Sequence, residues 1–229
     1  MYGIGNMFDQ IANRYDMLNH LFSLNIDKTW RRFLTRTAAP PRESMILDCC
    51  CGTADQAISL ANHLPDARII GIDISENMLT IGRSKVRKQS LENRIDLQTG
   101  NVDSIAFGEN TFDVVSMSFG LRNIENKRRS LDEIERVMKP GAQLLILEFS
   151  PTPAPIVRGA FRFYRGKIMP AIGGGLSGSP GAYRYLSSSI EGFLPNAALD
   201  ELLQNSGFTE ITHKPLAAGI AALHSARSI

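Results

Sequence analysis

The chain has 229 residues, 25 Lys and Arg against 23 Asp and Glu, and a formal net charge of +2; hydrophobic residues make up 43% and charged residues 21%. This length suits one α/β domain with a sizeable core, and the near-neutral charge excludes a nucleic-acid binder held by phosphate contacts alone. The three cysteines are consecutive, Cys49, Cys50 and Cys51, which excludes a disulfide framework and a zinc site of separated pairs and predicts a reduced, cytosolic compartment.

Residues 1–10 carry neither the basic cluster nor the apolar core of a secretory signal, and no run approaches the ~18 apolar residues of a membrane span. Phe8, Ile11, Tyr15, Leu18 and Phe22 recur at three- and four-residue spacing, predicting a helix with one apolar face. A second short helix carries Trp30, Phe33 and Leu34, with Arg31, Arg32 and Arg36 turned outward, and Pro40-Pro41 ends it. Residues 1–40 thus read as an N-terminal helical lid.

Strands and helices alternate from Met45. Apolar runs at Met45–Cys49, Arg68–Ile74, Arg94–Gln98, Phe112–Met117 and Gln143–Phe149 are separated by helical patterns at Ala57–His63, Glu76–Lys88 (capped by Ser75) and Arg129–Met138. Pro140-Gly141 reads as a turn before the fifth strand. The alternation predicts βαβ units in a doubly wound, mostly parallel sheet, with residues 45–150 as the cofactor-binding core of a single domain.

Residues 149–190 contain no Asp or Glu but hold Arg158, Arg162, Arg165, Lys167 and Arg184 beside Phe161, Phe163, Tyr164, Tyr183 and Tyr185, with a glycine-rich turn at Gly173–Gly175. Residues 151–195 are expected to be an insertion covering the sheet: either a substrate- and membrane-facing surface or a solvated lid with buried aromatics. Residues 196–229 then read as a helix, Ala197–Ser206, ending at Gly207, and strands around Glu210–His213 and Ile220–His224.

The chemistry-bearing segment is Ile46-Leu47-Asp48-Cys49-Cys50-Cys51-Gly52-Thr53-Ala54-Asp55, an apolar strand, an acid and a small-residue loop opening a helix. In a doubly wound sheet this turn lies at the switch point where nucleotide-like ligands bind, but Cys and Ala occupy two of the glycine positions that a dinucleotide pyrophosphate requires. That argues against a nicotinamide-dependent oxidoreductase and for a ligand without phosphates, such as S-adenosylmethionine. Asp73, ending the second strand, either accepts hydrogen bonds from the ribose hydroxyls or caps the helix starting near Ser75. Gly100-Asn101-Val102-Asp103 follows the third strand, where an adenine edge would lie. Arg122 and Asn123 follow the fourth, either at the substrate or, for Arg122, as a surface residue paired with Glu125.

These segments resemble the quinone-biosynthesis C-methyltransferases, a branch of the Rossmann-like S-adenosylmethionine-dependent methyltransferases that makes menaquinone and ubiquinone. The resemblance runs through Tyr15-Asp16-Met17-Leu18-Asn19, Ser23 with Trp30, Asp48 through Asp55, and Ser118-Phe119-Gly120-Leu121-Arg122-Asn123. It continues through Arg136-Val137-Met138-Lys139-Pro140-Gly141, Leu147-Glu148-Phe149-Ser150, and Ala218-Gly219-Ile220-Ala221-Ala222-Leu223-His224. Asp27 stands where members tend to carry His, and Ala142 replaces a second glycine after Lys139-Pro140.

Carried over residue by residue, the resemblance implies S-adenosylmethionine contacts at Thr53, Asp73, Asn101, Val102 and Ser118, with Asp48 and Gly52 in the same loop motif. It also implies methyl transfer to a ring carbon of a prenylated quinol; Arg122, stabilising a developing phenolate or orienting a water, and Asn123, fixing the ring oxygen or that water, are the catalytic candidates, and no metal is expected. Tyr183 and Tyr185 are candidates to line the ring pocket, or packing residues. Demethylmenaquinol is the substrate the loop favours. The alternatives are the ubiquinone precursor, a soluble phenol, and a non-catalytic S-adenosylmethionine-binding subunit. The partners expected are the quinol and the inner membrane surface, with no nucleic acid.

Overall fold

The computed structural model describes residues 23, 25–151, 153–164, 185 and 188–229. The helix expected around Phe8–Phe22, the Gly173–Gly175 turn, Tyr183, Arg165, Lys167 and Arg184 lie outside the described residues.

Five strands run parallel: β1 (Met45–Cys49), β2 (Arg68–Asp73), β3 (Ile95–Thr99), β4 (Phe112–Ser118) and β5 (Met138–Phe149). β6 (Thr209–Leu216) and β7 (Ala221–Arg227) complete a seven-stranded sheet in the order β3-β2-β1-β4-β5-β7-β6, with β7 antiparallel to both β5 and β6. The strand order reverses between β1 and β4, and in such sheets that reversal opens a crevice at the strands' C-terminal ends.

Alternation of side chains along each strand splits the core into two layers. Ile46, Val114 and Leu145 face α1 (Ile26–Thr37), α2 (Asp55–His63) and α3 (Glu76–Lys88) through Trp30, Leu34, Leu60 and Leu79. Leu47, Val115 and Ile146 face α4 (Lys127–Val137) and α6 (Asn196–Asn205) through Leu131, Ile134 and Leu203. Between β5 and α6 stands the short helix α5 (Pro155–Phe163). Among the described residues no helix is long and apolar enough to cross a membrane.

Local signals placed most elements. Ser75 caps α3 by accepting from Met78 N at 3.2 Å. Two expectations are corrected. Pro140-Gly141 does not precede the fifth strand but lies within it: the pairing jumps from Phe112↔Met138 to Val114↔Gln143, and Gly141 at φ 75 absorbs the extra residues as a bulge. Arg31 does not turn outward. Its side chain is 14% exposed, with the guanidinium 5.2 Å over the Phe119 ring and Nε 3.9 Å from the Asp27 carboxylate. Helix α1 packs on α2 and the end of β4, so this part of its surface faces the crevice. Asp27 itself is buried and accepts from the Ser23 hydroxyl at 2.5 Å.

Candidate active site

The loop leaving β1 follows an alternating backbone, with φ 54 at Cys50, 52 at Gly52 and 67 at Ala54. The Cys and Ala at expected glycine positions therefore hold a left-handed conformation that glycine adopts freely and other residues adopt at a cost of order 1 kcal/mol. The extra side-chain bulk is absorbed opposite. A Cβ on Gly120 would lie 2.6 Å from Cys50 Cβ, one on Gly71 2.9 Å from Cys51 Sγ, and one on Gly82 3.2 Å from Ala54 Cβ. Burial pushes all three thiols well above the usual cysteine range, so they fill space and are poor nucleophiles. Gly120→Ala is expected to cost about 1–3 kcal/mol. Adding Cys50→Gly should recover at least about 1 kcal/mol of it, read by chemical denaturation as a double-mutant cycle; additive losses would refute the pairing.

Of the two roles expected of Asp73, the contact at the start of the helix after Ser75 is formed. One carboxylate oxygen accepts from Gly52 N at 2.9 Å, tying β2 to the loop, and the other accepts from Ser75 N at 2.9 Å, at the start of α3. The carboxylate also lines a cleft of about 780 Å³ with Gly52, Gly100, Asn101, Val102, Ser118 and Asn123. Asn101 turns its side-chain oxygen to Asp103 N at 3.0 Å, which shapes the loop after β3.

A smaller recess of about 310 Å³ adjoins the loop, lined by Arg31, Asp48, Thr53, Gln56 and Ser118 among others. Asp48 is buried; Oδ1 accepts from Ser116 Oγ at 2.7 Å, while Oδ2 has no hydrogen-bond partner. Burial raises its carboxyl from 3.8 to about 7, partly opposed by the Ser116 hydrogen bond and the Arg31 charge. Arg31 Nε is likewise buried without a hydrogen-bond partner. An anion-seeking and a cation-seeking group thus face one recess, each with unused capacity. Ser118 joins a buried polar chain: its hydroxyl donates to Gln56 at 3.2 Å, Gln56 donates to Thr35 at 2.9 Å, and Thr35 lies 2.8 Å from Ser59 Oγ. Thr53 Oγ1 accepts from Lys85, which also pairs with Asp55 at 2.6 Å.

At the end of β4 the chain turns sharply, with Phe119 at φ 61, into a 3-10 turn, Leu121–Asn123. Arg122 does not pair with Glu125. Its side chain, 4% exposed, bonds the Glu148 carboxylate at 2.8 Å and the Phe119 carbonyl at 2.5 Å. Glu148, 1% exposed, also accepts from Arg122 N and Phe149 N. Arg122 lies behind the cleft wall, whereas Phe119, Gly120 and Asn123 form that wall. Asn123 Oδ1 accepts the Tyr185 hydroxyl at 3.0 Å, and burial raises the Tyr185 phenol. Trp30, Phe119 and Phe149 pack ring against ring at 4.9–6.2 Å beside this turn.

The structure thus brings Asp48, Gly52, Thr53, Asp73, Asn101, Val102, Ser118 and Asn123 to two adjoining cavities, Tyr185 to Asn123, and Arg122 to Glu148; Tyr183 lies outside the described residues. Arg31, Gln56 and Glu148 were not foreseen. Gln56 is the second residue of α2, directly after the loop motif, and Glu148 is the next-to-last residue of β5, an acid whose burial rests on its pairing with Arg122.

Residues 2–228 match the profile of the ubiE/COQ5 methyltransferase family. A ubiquinone/menaquinone biosynthesis C-methyltransferase UbiE of Syntrophotalea carbinolica is 39% identical over 219 residues, covering 96% of this chain and 91% of that relative. A demethylmenaquinone methyltransferase of Bacteroides fragilis is 36% identical, covering 97% and 91% respectively. Among solved structures, a possible histamine N-methyltransferase of Thermotoga maritima superimposes with TM-score 0.69 at 15% identity over 98% of this chain and 99% of that one. The [4+2]-cyclase SpnF does so with TM-score 0.73 at 16% identity, over 98% and 95%. At such identities the structural likeness carries the fold alone, and the same scaffold serves unlike reactions.

Proposed function

From the premise that the chain belongs to the ubiE/COQ5 methyltransferase family, and is therefore an S-adenosylmethionine-dependent C-methyltransferase of quinone biosynthesis, we propose that it methylates demethylmenaquinol to menaquinol. The relatives named demethylmenaquinone methyltransferase and the Cys-Cys-Gly-Thr-Ala loop support this substrate over the ubiquinone precursor.

The residues fit the cofactor. Asp48 Oδ2 and Arg31 Nε, both buried without a hydrogen bond although Arg31 also lies 3.9 Å from Asp27, suit the ammonium and carboxylate of its amino acid end. Asp73 suits the ribose hydroxyls, and the Asn101-Val102 loop the adenine edge. When bound, S-adenosylmethionine supplies an electrophilic methyl group. That methyl would pass from sulfur to an unsubstituted carbon of the quinol ring, which would give up its own proton, and the residues of this chain would hold the ring for the transfer. Only the reduced, electron-rich ring can attack in this way, and loss of a hydroxyl proton increases its nucleophilicity.

The observation that carries this reading is the polar point at Asn123 in an otherwise apolar stretch of cleft wall, between Phe119 and Ile124. The Asn123 amide and the Tyr185 hydroxyl can hold a ring oxygen while Phe119 covers the ring face. Holding the ring carbon in near-attack contact can supply a large part of the ~7–11 kcal/mol that orientation offers. Arg122 works through these residues as a positioning residue: its bond to the Phe119 carbonyl fixes the turn that carries Asn123, and Glu148 balances its charge. A guanidinium offers only donors, so Arg122 is not the proton acceptor.

The test is methylation of demethylmenaquinol, its oxidised quinone and the ubiquinone precursor quinol by purified protein, with products identified by mass. Transfer to demethylmenaquinol and none to the quinone is the expected result; preference for the ubiquinone precursor, or transfer only to soluble phenols, would overturn the assignment.

We further infer that the enzyme works in the cytoplasm against the inner membrane surface. A prenylated quinol partitions into the bilayer. On α5 Ile156 is 90% and Phe163 62% exposed, beside Arg158 and Arg162, a pattern suited to anionic lipid. Sedimentation with anionic vesicles at low salt, lost at high salt and weakened by Ile156→Ser with Phe163→Ser, is expected; no binding at low salt would refute it.

A further inference from the structure

At the sheet edge remote from the cofactor crevice, His213 on β6 and His224 on β7 are directly opposed in register. Both point at one carboxylate from α6: His213 Nδ1 lies 2.6 Å from Asp200 Oδ2 and His224 Nδ1 2.8 Å from Asp200 Oδ1. One ligand atom from each of the three residues falls within 4.8 Å of the others, a gathering that no step of the methyl transfer uses. The two rings stack at 5.3 Å with a 33° tilt. His224 is buried, whereas His213 and Asp200 are 32% and 26% exposed, so the open side of the cluster faces solvent.

We propose that Asp200, His213 and His224 form a divalent-cation site of the zinc class that fastens α6 to the β6–β7 hairpin. Two imidazoles and one carboxylate are the donor set that zinc-like ions take, and calcium and magnesium prefer six or more oxygens. Zinc bonds of about 2.0–2.2 Å in a tetrahedron hold ligand atoms roughly 3.3 Å apart. The two nitrogen–oxygen contacts, 2.6 Å to Oδ2 and 2.8 Å to Oδ1, would open by about 0.5–0.7 Å, and the imidazoles would turn toward one oxygen, as the cation replaces the protons they share with the carboxylate. Water completes the coordination from the exposed side. The ligands come from a helix and two strands, so the cation would act on stability, and its position away from the crevice separates it from transfer chemistry.

The test uses tag-free protein stripped with a chelator and titrated with zinc by calorimetry and with cobalt by visible absorption. Saturable binding at one equivalent, a rise in Tm with free zinc, and cobalt bands without thiolate charge transfer are expected. His213→Ala, at the most exposed ligand, and Asp200→Asn, which keeps an acceptor for the histidines, should each weaken binding by about tenfold to a hundredfold or more. Absence of one-equivalent binding, unchanged affinity in both variants, or a thiolate band placing the metal at the cysteines would each overturn the proposal.

Discussion

Arg122→Ala is expected to lower turnover by a factor of about 10²–10³ while leaving S-adenosylmethionine affinity within about threefold. Two effects are superimposed in this variant and can be separated. Removing the guanidinium strands the Glu148 carboxylate in the interior, where breaking a buried pair costs about 3–5 kcal/mol. Removing it also frees the Phe119 carbonyl and loosens the turn that carries Asn123. Adding Glu148→Gln removes the stranded charge and should restore more than half of the lost stability. Turnover should stay low, because nothing then holds the turn. The measurements are denaturant midpoints, calorimetric cofactor affinity and kcat with KM for the quinol. If turnover recovers together with stability, Arg122 serves only the fold. If cofactor affinity falls in step with turnover, its place is in the cofactor site.

Asp48→Asn should move stability and affinity in opposite directions. The carboxyl is raised from 3.8 to about 7, so the folded state holds a proton that the unfolded chain gives up. Between those values the contribution of Asp48 to stability falls as pH rises, and the cost of burying its charge is complete above about pH 7. Asparagine keeps the acceptor for Ser116 and removes the charge. The unliganded variant should therefore be more stable than the parent at pH 8, by about 1–3 kcal/mol, and indistinguishable from it near pH 4. Its affinity for S-adenosylmethionine should drop about tenfold to a hundredfold, the worth of one charged hydrogen bond of about 1.5–3 kcal/mol. Denaturation at the two pH values and calorimetry suffice. A destabilised variant at pH 8, or one with unchanged affinity, would mean that Asp48 only braces β1 against Ser116.

Much of this molecule is written in short stretches. The apolar runs ending in Asp48, Asp73 and Ser118 are local signals, and so is the Ser75 cap, because a strand's C-terminal residue and a helix's first turn are set by a few neighbours. Sequence neighbours misled where pairing is decided across the sheet. Glu125 stands three positions from Arg122, yet β4 and β5 lie side by side with Ser118 opposite Leu147, so Glu148 follows directly on the last pair and the turn after β4 brings Arg122 back onto it. Arg31 carried the same helical pattern as Arg32 and Arg36; only the packing of α1 on Phe119 gives it a different surrounding. The bulge in β5 was hidden for a related reason. Pro140-Gly141 is turn chemistry wherever it occurs, and whether the strand continues through it depends on what β4 offers alongside. The acid–histidine cluster draws on positions 13 and 24 residues apart and has no linear motif.

The buried chain from Thr35 through Gln56 to Ser118, with Arg31 one turn earlier on the same helix, makes α1 part of the recess wall rather than an appendage. Occupancy of the recess and docking of that helix then form a single thermodynamic cycle: whatever free energy a ligand gains from a seated α1, the seated α1 gains from the ligand.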